Sequence, residues 1–355
     1  MALPAPSPIP SVGAALNVQP GSRPVGLCSL QFGGMSLVDL AAWMKSVGFD
    51  RIELGCNGTH FDVDRALGRG RYCDEVIKTL ATNNLSTISL AAHTTGLAVC
   101  QWPIEYDYAE WVGPQVWGDG DHETMYKRAQ RRLIQTARAA KKLGVVYVKT
   151  FFGSRIYRRL MTDFPPTPQQ WVEDQWEIMV PRMLKVLDAF GELGVFLALE
   201  AHKGESAWNV ETMIELHRRL NNHPYFTYNW DGSHPGGQGV NVPDAIRALP
   251  PGLIHVCHWK GVSFFPGGTR SILSPYPMGH SGRGWNYVNI ADDPHDHREH
   301  VKALNEYGLP PDSELSIEHE DNAMANLAGA IMAYRATREH HAFTAPAGSY
   351  EEQMK

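Results

Sequence analysis

Polar and apolar positions along the chain alternate between two regimes. Short, largely apolar runs recur at 25–31 (VGLCSLQ), 51–55 (RIELG), 86–93 (STISLAAH), 145–151 (VVYVKTF), 195–202 (VFLALEAH), 225–231 (YFTYNWD), 253–259 (LIHVCHW) and 314–320 (ELSIEHE). Such runs bounded by turn residues read as buried strands. Between them lie stretches of helical periodicity. Ser36 caps the first, with Asp39 three residues on, and Gly48 stops it. Further helices are predicted at 73–84, 122–143 (ending at Gly144), roughly 168–193 (ending at Gly194), after the cap Asn209, from Pro243, at 296–308 and over the closing NAMANLAGAIMAYRATREH.

The order is β-α repeated eight times. Alternating strands and helices imply a parallel sheet, and eight such units are the number at which it closes into a (β/α)8 TIM barrel. An open doubly wound sheet would usually bring a glycine-rich first turn. Here that turn is QFGGMS, without the G-x-G-x-x-G spacing. The expected organisation is a Pro-rich arm at 1–23, disordered or draped over a partner, a single barrel domain at 24–340 and a tail at 341–355. Two βα connections are too long for plain turns. Residues 94–121 carry Trp102, Tyr106, Tyr108, Trp111 and Trp117. Residues 260–295 carry Phe264, Phe265, Tyr276 and Trp285. Both follow a strand, so both belong to the C-terminal face where barrel active sites sit. They form either a wall against a ring-bearing substrate or packing against the rim or another subunit.

Composition narrows the picture. The chain has 355 residues, and a barrel of that size folds as one domain. Apolar residues make up 43 %, enough to fill a large core, and the net charge of −6 argues against nucleic acid or an anionic membrane as a partner. No long apolar stretch spans a bilayer, and the N-terminus lacks the form of a signal peptide. The five cysteines form no C-x-x-C, so neither a disulfide framework nor a zinc knuckle is suggested, and a cytoplasmic setting is expected.

Chemistry gathers at the ends of the late strands. Strand five ends in Glu200, strand six in Asp231, strand seven in His258 and strand eight in Glu318. Adjacent strand ends stand ~5 Å apart in a barrel. Three carboxylates so close repel one another, and a divalent cation resolves the conflict. Three oxygen ligands and one imidazole suit Mn2+ foremost, with Mg2+, Co2+ or Zn2+ open. His255 rivals His258, three residues away and therefore on the opposite face of a regular strand.

Other polar groups join the set. His202, two residues after Glu200, is either a general base or an orienting residue. His234 has a substrate-binding or supporting role. Lys260 either steadies an oxyanion or pairs with Glu318. His93 and Lys149, ending strands three and four, are candidates for substrate hydroxyls. His295, His297 and His300 open a helix on a polar stretch and read as a solvated face.

The segments LALEAH (197–202), YNWDGSH (228–234), HVCHWKG (255–261) and SIEHED (316–321) resemble the xylose isomerase-like superfamily of sugar isomerases, epimerases and dehydratases. That resemblance implies one metal held by Glu200, Asp231, His258 and Glu318. Strand seven departs from the family's usual H-x-H or H-x-K-D, which keeps the choice of histidine open. Within the superfamily, E-A-H at 200–202 is similar to the α subunit of C-glycoside deglycosidases. The likeness implies His202 as base, a 3-oxo-C-glucoside substrate whose sugar–aglycone carbon–carbon bond is broken, and a small β subunit in a hetero-oligomer. The expected activity is thus a metal-dependent C-glycosyl lyase. The alternatives are a metal-dependent sugar isomerase, epimerase or inosose-type dehydratase, and a non-catalytic sugar-binding barrel, against which the intact ligand set argues. No glycine-rich cradle for a sugar phosphate is evident after strands seven and eight.

Overall fold

Each of the eight apolar runs becomes a strand in the computed structural model, which describes residues 9–345 apart from 57, 107, 162, 163 and 275. The strands are β1 (Val25–Cys28), β2 (Arg51–Gly55), β3 (Ser86–Thr87, resumed at Ser89–Ala91), β4 (Tyr147–Thr150), β5 (Phe196–Glu200), β6 (Phe226–Asp231), β7 (Ile254–Trp259) and β8 (Leu315–Ile317). Each pairs in parallel with the next, and β8 pairs with β1 as well as β7, so the sheet closes on itself. The barrel helices are α1 (Leu37–Val47), α2 (Tyr72–Thr82), α3 (His122–Leu143), α4 (Gln169–Leu193), α5 (Val210–Arg219), α6 (Val242–Ala248), α7 (His297–Glu306) and α8 (Asn326–Ala336).

The helix ends follow their caps. The Ser36 hydroxyl accepts from the Asp39 N–H at 3.2 Å, and Gly48 closes α1 at φ 105°, where a side chain would be strained. Asn209 and Thr212 form a reciprocal capping box on α5. Each such cap stabilises its helix by ~1 kcal/mol.

Alternation along the strands sorts residues into the barrel interior or the layer under the helices. The interior has a polarity gradient. Its floor is apolar: Ile9, Ile88, Tyr147, Ala198 and Val256 pack together. Two residues further along β4, Lys149 meets Glu53 of β2 in a fully buried ion pair at 2.5 Å. Two residues beyond Ala198 and Val256 come Glu200 and His258, at the top. The gradient decides where chemistry can occur, because the floor excludes water and the top gathers ionisable groups.

Two expectations change. Residues 9–23, expected to be disordered or draped over a partner, lie against the barrel itself. Ile9 plugs the floor, Val12 and Gly13 pair antiparallel with Thr87 and Ser86, and Arg23 reaches the carbonyls of Pro310 and Ser313. An open barrel end needs an apolar cover, and the arm supplies it; residues 1–8 of the arm and 346–355 of the tail lie outside the described residues.

The segment after β3, too long for a plain turn, has structure of its own. It holds short helices at His93–Leu97, Tyr108–Val112 and Pro114–Trp117, and the segment after β7 holds an antiparallel hairpin, Gly261–Phe264 with Trp285–Val288.

Finally, His297 and His300 are buried rather than solvated. Trp230 and Trp259 point outward from β6 and β7 and need covering. α7 lays its histidine face on them, with the His300 ring centroid 4.6 Å from that of Trp259 and its Nε2 accepting the Trp230 indole N–H at 2.9 Å.

Candidate metal centre

The ends of β5, β6, β7 and the residue following β8 bring Glu200, Asp231, His258 and Glu318 together. One ligand atom from each lies within 4.8 Å of the others, and all four residues are buried. His258 turns Nδ1 toward this group, 2.9 Å from Glu200 Oε2 and 3.2 Å from Glu318 Oε2. His255 is elsewhere. It starts β7 at the opposite end of the strand, where Nε2 lies 3.1 Å from the Gly252 carbonyl and the ring packs on Tyr147 and Phe196. The strand's direction therefore selects His258.

The remaining predicted residues divide between the cluster and its supports. His93 Nε2 is 3.1 Å from Glu200 Oε2. His234 Nε2 is 2.9 Å from Glu200 Oε1 and 3.3 Å from Asp231 Oδ2, while its Nδ1 meets the Tyr287 hydroxyl at 3.1 Å. A nitrogen facing two carboxylates carries the proton, so His234 Nδ1 accepts from Tyr287. Lys260 does pair with Glu318, at 2.7 Å, and also with Asp231 at 3.0 Å and Glu320 at 2.9 Å. Lys149 is not brought to the cavity. Its ammonium is taken up by Glu53 and the Cys257 carbonyl in the middle of the barrel.

His202 lies just past β5. Its Nδ1 donates to the Lys203 carbonyl, which leaves Nε2 with a bare lone pair in the neutral ring. The ring packs edge-on to His234 at 4.2 Å between centroids and beside Phe151 at 5.2 Å. Burial, together with the charges of His234 and Lys260, holds this imidazole down at about 3, so it is neutral at physiological pH.

Several contributors escaped the sequence reading. Asn229 donates to Glu200 Oε2 at 2.6 Å and Gln31 to Glu318 Oε1 at 3.2 Å. Glu53 takes the other nitrogen of His258, Nε2, at 3.0 Å. A signal for Glu53 existed. Strand β2 reads charge–apolar–charge in Arg51, Ile52 and Glu53, which places two charges on the interior face.

Carboxylates outnumber lysines in the cluster, and His258 takes up part of the excess charge. Glu53, Glu200, Asp231, Glu318 and Glu320 contact one another's partners, while the lysines among them are Lys149 and Lys260. Burial raises a carboxylate, yet Glu200 and Glu318 are held well below the usual range, chiefly by His258. His258 in turn is pushed up despite its burial, by Glu318, Glu53 and Glu200. Burial, too, opposes ionisation of Glu53, but the Lys149 ammonium and then His258 bring it to about 2.

These residues fit a divalent ion. Asp231 Oδ2 has ion-pair contacts with Lys260 and His234, and His258 Nδ1 with Glu200 and Glu318, yet neither buried atom makes a hydrogen bond of good geometry. Buried polar atoms are rarely left so, and a metal supplies the missing partner. The O,O,N,O donor set suits Mn2+, Mg2+, Co2+ or Zn2+ without choosing among them.

Residues 41–340 match the family described as xylose isomerase-like TIM barrel. No curated protein matches the chain at a significant level. Among solved structures, the chain is similar to the probable 3-DHS dehydratase AsbF of petrobactin synthesis from Bacillus anthracis, with 17% identity, 88% of this chain and 98% of that one covered, and a TM-score of 0.60. It is similar to an L-ribulose 3-epimerase at 18% identity, with 88% and 92% covered and a TM-score of 0.56. It is also similar to an IOLI protein with a binding zinc atom, at 15% identity, with 88% and 96% covered and a TM-score of 0.58. At these identities the likeness is one of fold.

Proposed function

The chain belongs to the xylose isomerase-like TIM barrel family, and from that premise we propose that it is a divalent-metal enzyme that removes a proton beside the carbonyl of a sugar-like substrate. The observation that carries this reading is the convergence of Glu200, Asp231, His258 and Glu318, with one ligand atom from each within 4.8 Å of the others and two of those residues' atoms lacking a hydrogen bond. A divalent ion held there supplies Lewis acidity to the substrate's carbonyl oxygen.

The chain's own residues account for the rest. His202 offers an imidazole whose Nε2 lone pair can take the proton, and the negative charge that develops on the substrate offsets the burial and positive neighbours that hold its proton affinity down. Glu200 and Asp231 hold His234 with its Nε2–H toward them. Lys260 brings a fixed positive charge beside Asp231 and Glu318, suited to an oxyanion that develops as the proton leaves. The epimerase and dehydratase among the structural neighbours name reactions that begin with such a proton transfer.

Within this class the reading we favour is elimination from a 3-oxo-C-glucoside. The 3-oxo group acidifies the C2–H. His202 takes the C2 proton, the electron pair forms the C1–C2 double bond, and the C1–aryl bond breaks with its electrons on the aryl carbon, which gains a proton. The products are the free aglycone and an unsaturated 3-oxo sugar. The E-A-H segment and the aromatic segments after β3 and β7 support this over epimerisation. A small second subunit belongs to the same reading.

The test is incubation of the purified protein with a 3-oxo-C-glucoside and, separately, with ketohexoses, each with and without a chelator. Free aglycone, lost on chelation, is the expected result. Epimerised ketohexose without aglycone release overturns the elimination and keeps the proton transfer. Aglycone release by a homo-oligomer of this chain alone removes the second subunit.

A further inference from the structure

Between the apolar floor and the ligand cluster lies a layer that the reaction above does not use. Glu53 and Lys149, both fully buried, form an ion pair there at 2.5 Å. The Ser316 hydroxyl donates to Glu53 Oε2 at 3.0 Å, and His258 Nε2 stands 3.0 Å from Oε1 and 3.2 Å from Oε2. Such a pair is expensive to bury, and an apolar pair of the same volume would often be at least as stable. Stability alone does not explain it.

We propose that Glu53 is the positioning residue of the metal centre, fixing the tautomer of His258 so that the Nδ1 lone pair faces Glu200, Asp231 and Glu318. The inference rests on the metal reading given above. With Lys149 and Ser316 both donating to it, Glu53 is an ionised carboxylate and can only accept. Its contact with His258 Nε2 is then a hydrogen bond only if Nε2 carries the proton. Once a cation has displaced any second proton the imidazole has one N–H, so Nδ1 is the bare nitrogen, and Nδ1 points at the ligand cluster. Without Glu53 the ring could take the opposite tautomer, donate Nδ1–H to Glu200 or Glu318, and close the position to a cation.

Cys28, Glu53 and His258 also bring ligand atoms within 4.8 Å of one another, as a second metal site would. The Lys149 ammonium on Glu53 already supplies the positive charge that such a cation would bring. Lys149 therefore serves as a permanent counter-charge that keeps Glu53 ionised and commits it to orienting the histidine. Partners of this kind behind a metal-bound histidine typically change affinity by about 10–100-fold when removed.

The experiment measures metal affinity rather than turnover. Glu53→Gln alone strands the buried ammonium, so the variant compared with wild type is Glu53→Gln with Lys149→Met. Mn2+ and Co2+ dissociation constants are measured by chelator competition, and metal-free melting temperature records folding. We expect a 10–100-fold weaker dissociation constant in a variant whose metal-free melting temperature stays within a few degrees of wild type. In the Co2+-loaded wild type, proton NMR should show a paramagnetically shifted, exchangeable imidazole N–H, protected by Glu53. The same signal should be lost to exchange in the variant. A variant dissociation constant within about twofold of wild type, or an N–H signal unchanged in the variant, overturns the role of Glu53. Should the double variant not fold, Glu53→Asp is measured in its place; its shortened carboxylate keeps the charge for Lys149, and unchanged affinity together with an unchanged N–H signal overturns the proposal equally. Failure of wild type to bind either ion overturns the metal reading itself, and shows in the same titration before any variant is compared.

Discussion

Glu205 is a buried acid that makes no ion pair among the described residues. It is 2% exposed, and its hydrogen bonds come from the backbone N–H groups of Phe152 and Gly153, at 2.8–2.9 Å. Two effects compete. The N–H groups favour the carboxylate, while burial, with a smaller contribution from Glu200, favours the neutral acid. Burial prevails and pushes the group up from 4.5 to about 8. Because the folded value exceeds the unfolded one, the folded state binds the extra proton between these limits. Stability therefore falls as pH rises from about 4.5 to about 8 and levels off above. At about 1.4 kcal/mol per pH unit, the ionised group costs at most about 5 kcal/mol at high pH. Glu205→Gln keeps an acceptor for the two N–H groups and never ionises. We expect the two proteins to lie within about 1 kcal/mol at pH 5, where the native acid is neutral, and the variant to lead by several kcal/mol at pH 9. Urea unfolding across pH 5 to 9, with a chelator present for both proteins, reads the difference. A difference that is the same at both ends refutes the reasoning: the backbone donors would then have kept Glu205 ionised throughout.

Other perturbations probe the site more directly. Since neighbouring carboxylates push His258 up, a bound proton competes with the metal for Nδ1, and metal affinity should tighten as pH rises from 6 to 8; equal dissociation constants by calorimetry at both ends would sink this. Tyr287→Phe strips His234 Nδ1 of its buried partner, so turnover should fall about tenfold at unchanged metal content, and unchanged turnover would show that the hydroxyl does not orient the ring. Gly96→Ala would press a methyl against the Phe151 carbonyl and the Thr150 hydroxyl, under the residue whose ring packs beside His93 and His202, and should lower the melting temperature by several degrees; a shift under one degree would mean that the His93–Leu97 helix gives way freely.

What could be read from the sequence followed from periodicity, and what could not depended on three-dimensional closure. The strands showed themselves as apolar runs, and the helices through Ser36, Gly48, Gly144 and Asn209, because those signals are local. The four ligands were legible for a related reason. A strand end is a definable place in sequence, and the barrel stacks strand ends side by side. His258 was harder, because a period of two separates faces but does not say which end of the strand is the mouth. Glu53 and Glu205 stayed hidden. One sits mid-strand and matters only because β7 and β4 close around it; the other sits in a turn and caps a loop 52 residues away. The burial of His297 and His300 was missed because the polar residues around them suggested solvent. What decides their place is the outward Trp259 on a neighbouring strand.

The same distinction bears on specificity. The ligand set belongs to the barrel strands, whereas the choice between a broken bond and an inverted centre must come from groups that differ in the loops. Here the hairpin after β7 is tied into the centre rather than laid over it. Tyr287 bonds His234 and its ring lies 4.4 Å from the Lys260 ammonium, while Trp285 is flanked by Lys203 at 3.9 Å and Arg283 at 3.7 Å. An aromatic ring held between two cations is fixed in place, since each cation is drawn to its face. With its faces so occupied and its side chain buried against Val262 and Tyr287, Trp285 anchors the hairpin that carries Tyr287 and offers no open face to a ligand. Replacing Trp285 with Ala should therefore loosen the Tyr287–His234 bond and lower turnover while leaving metal affinity, read by chelator competition, as it was; unchanged turnover would refute this.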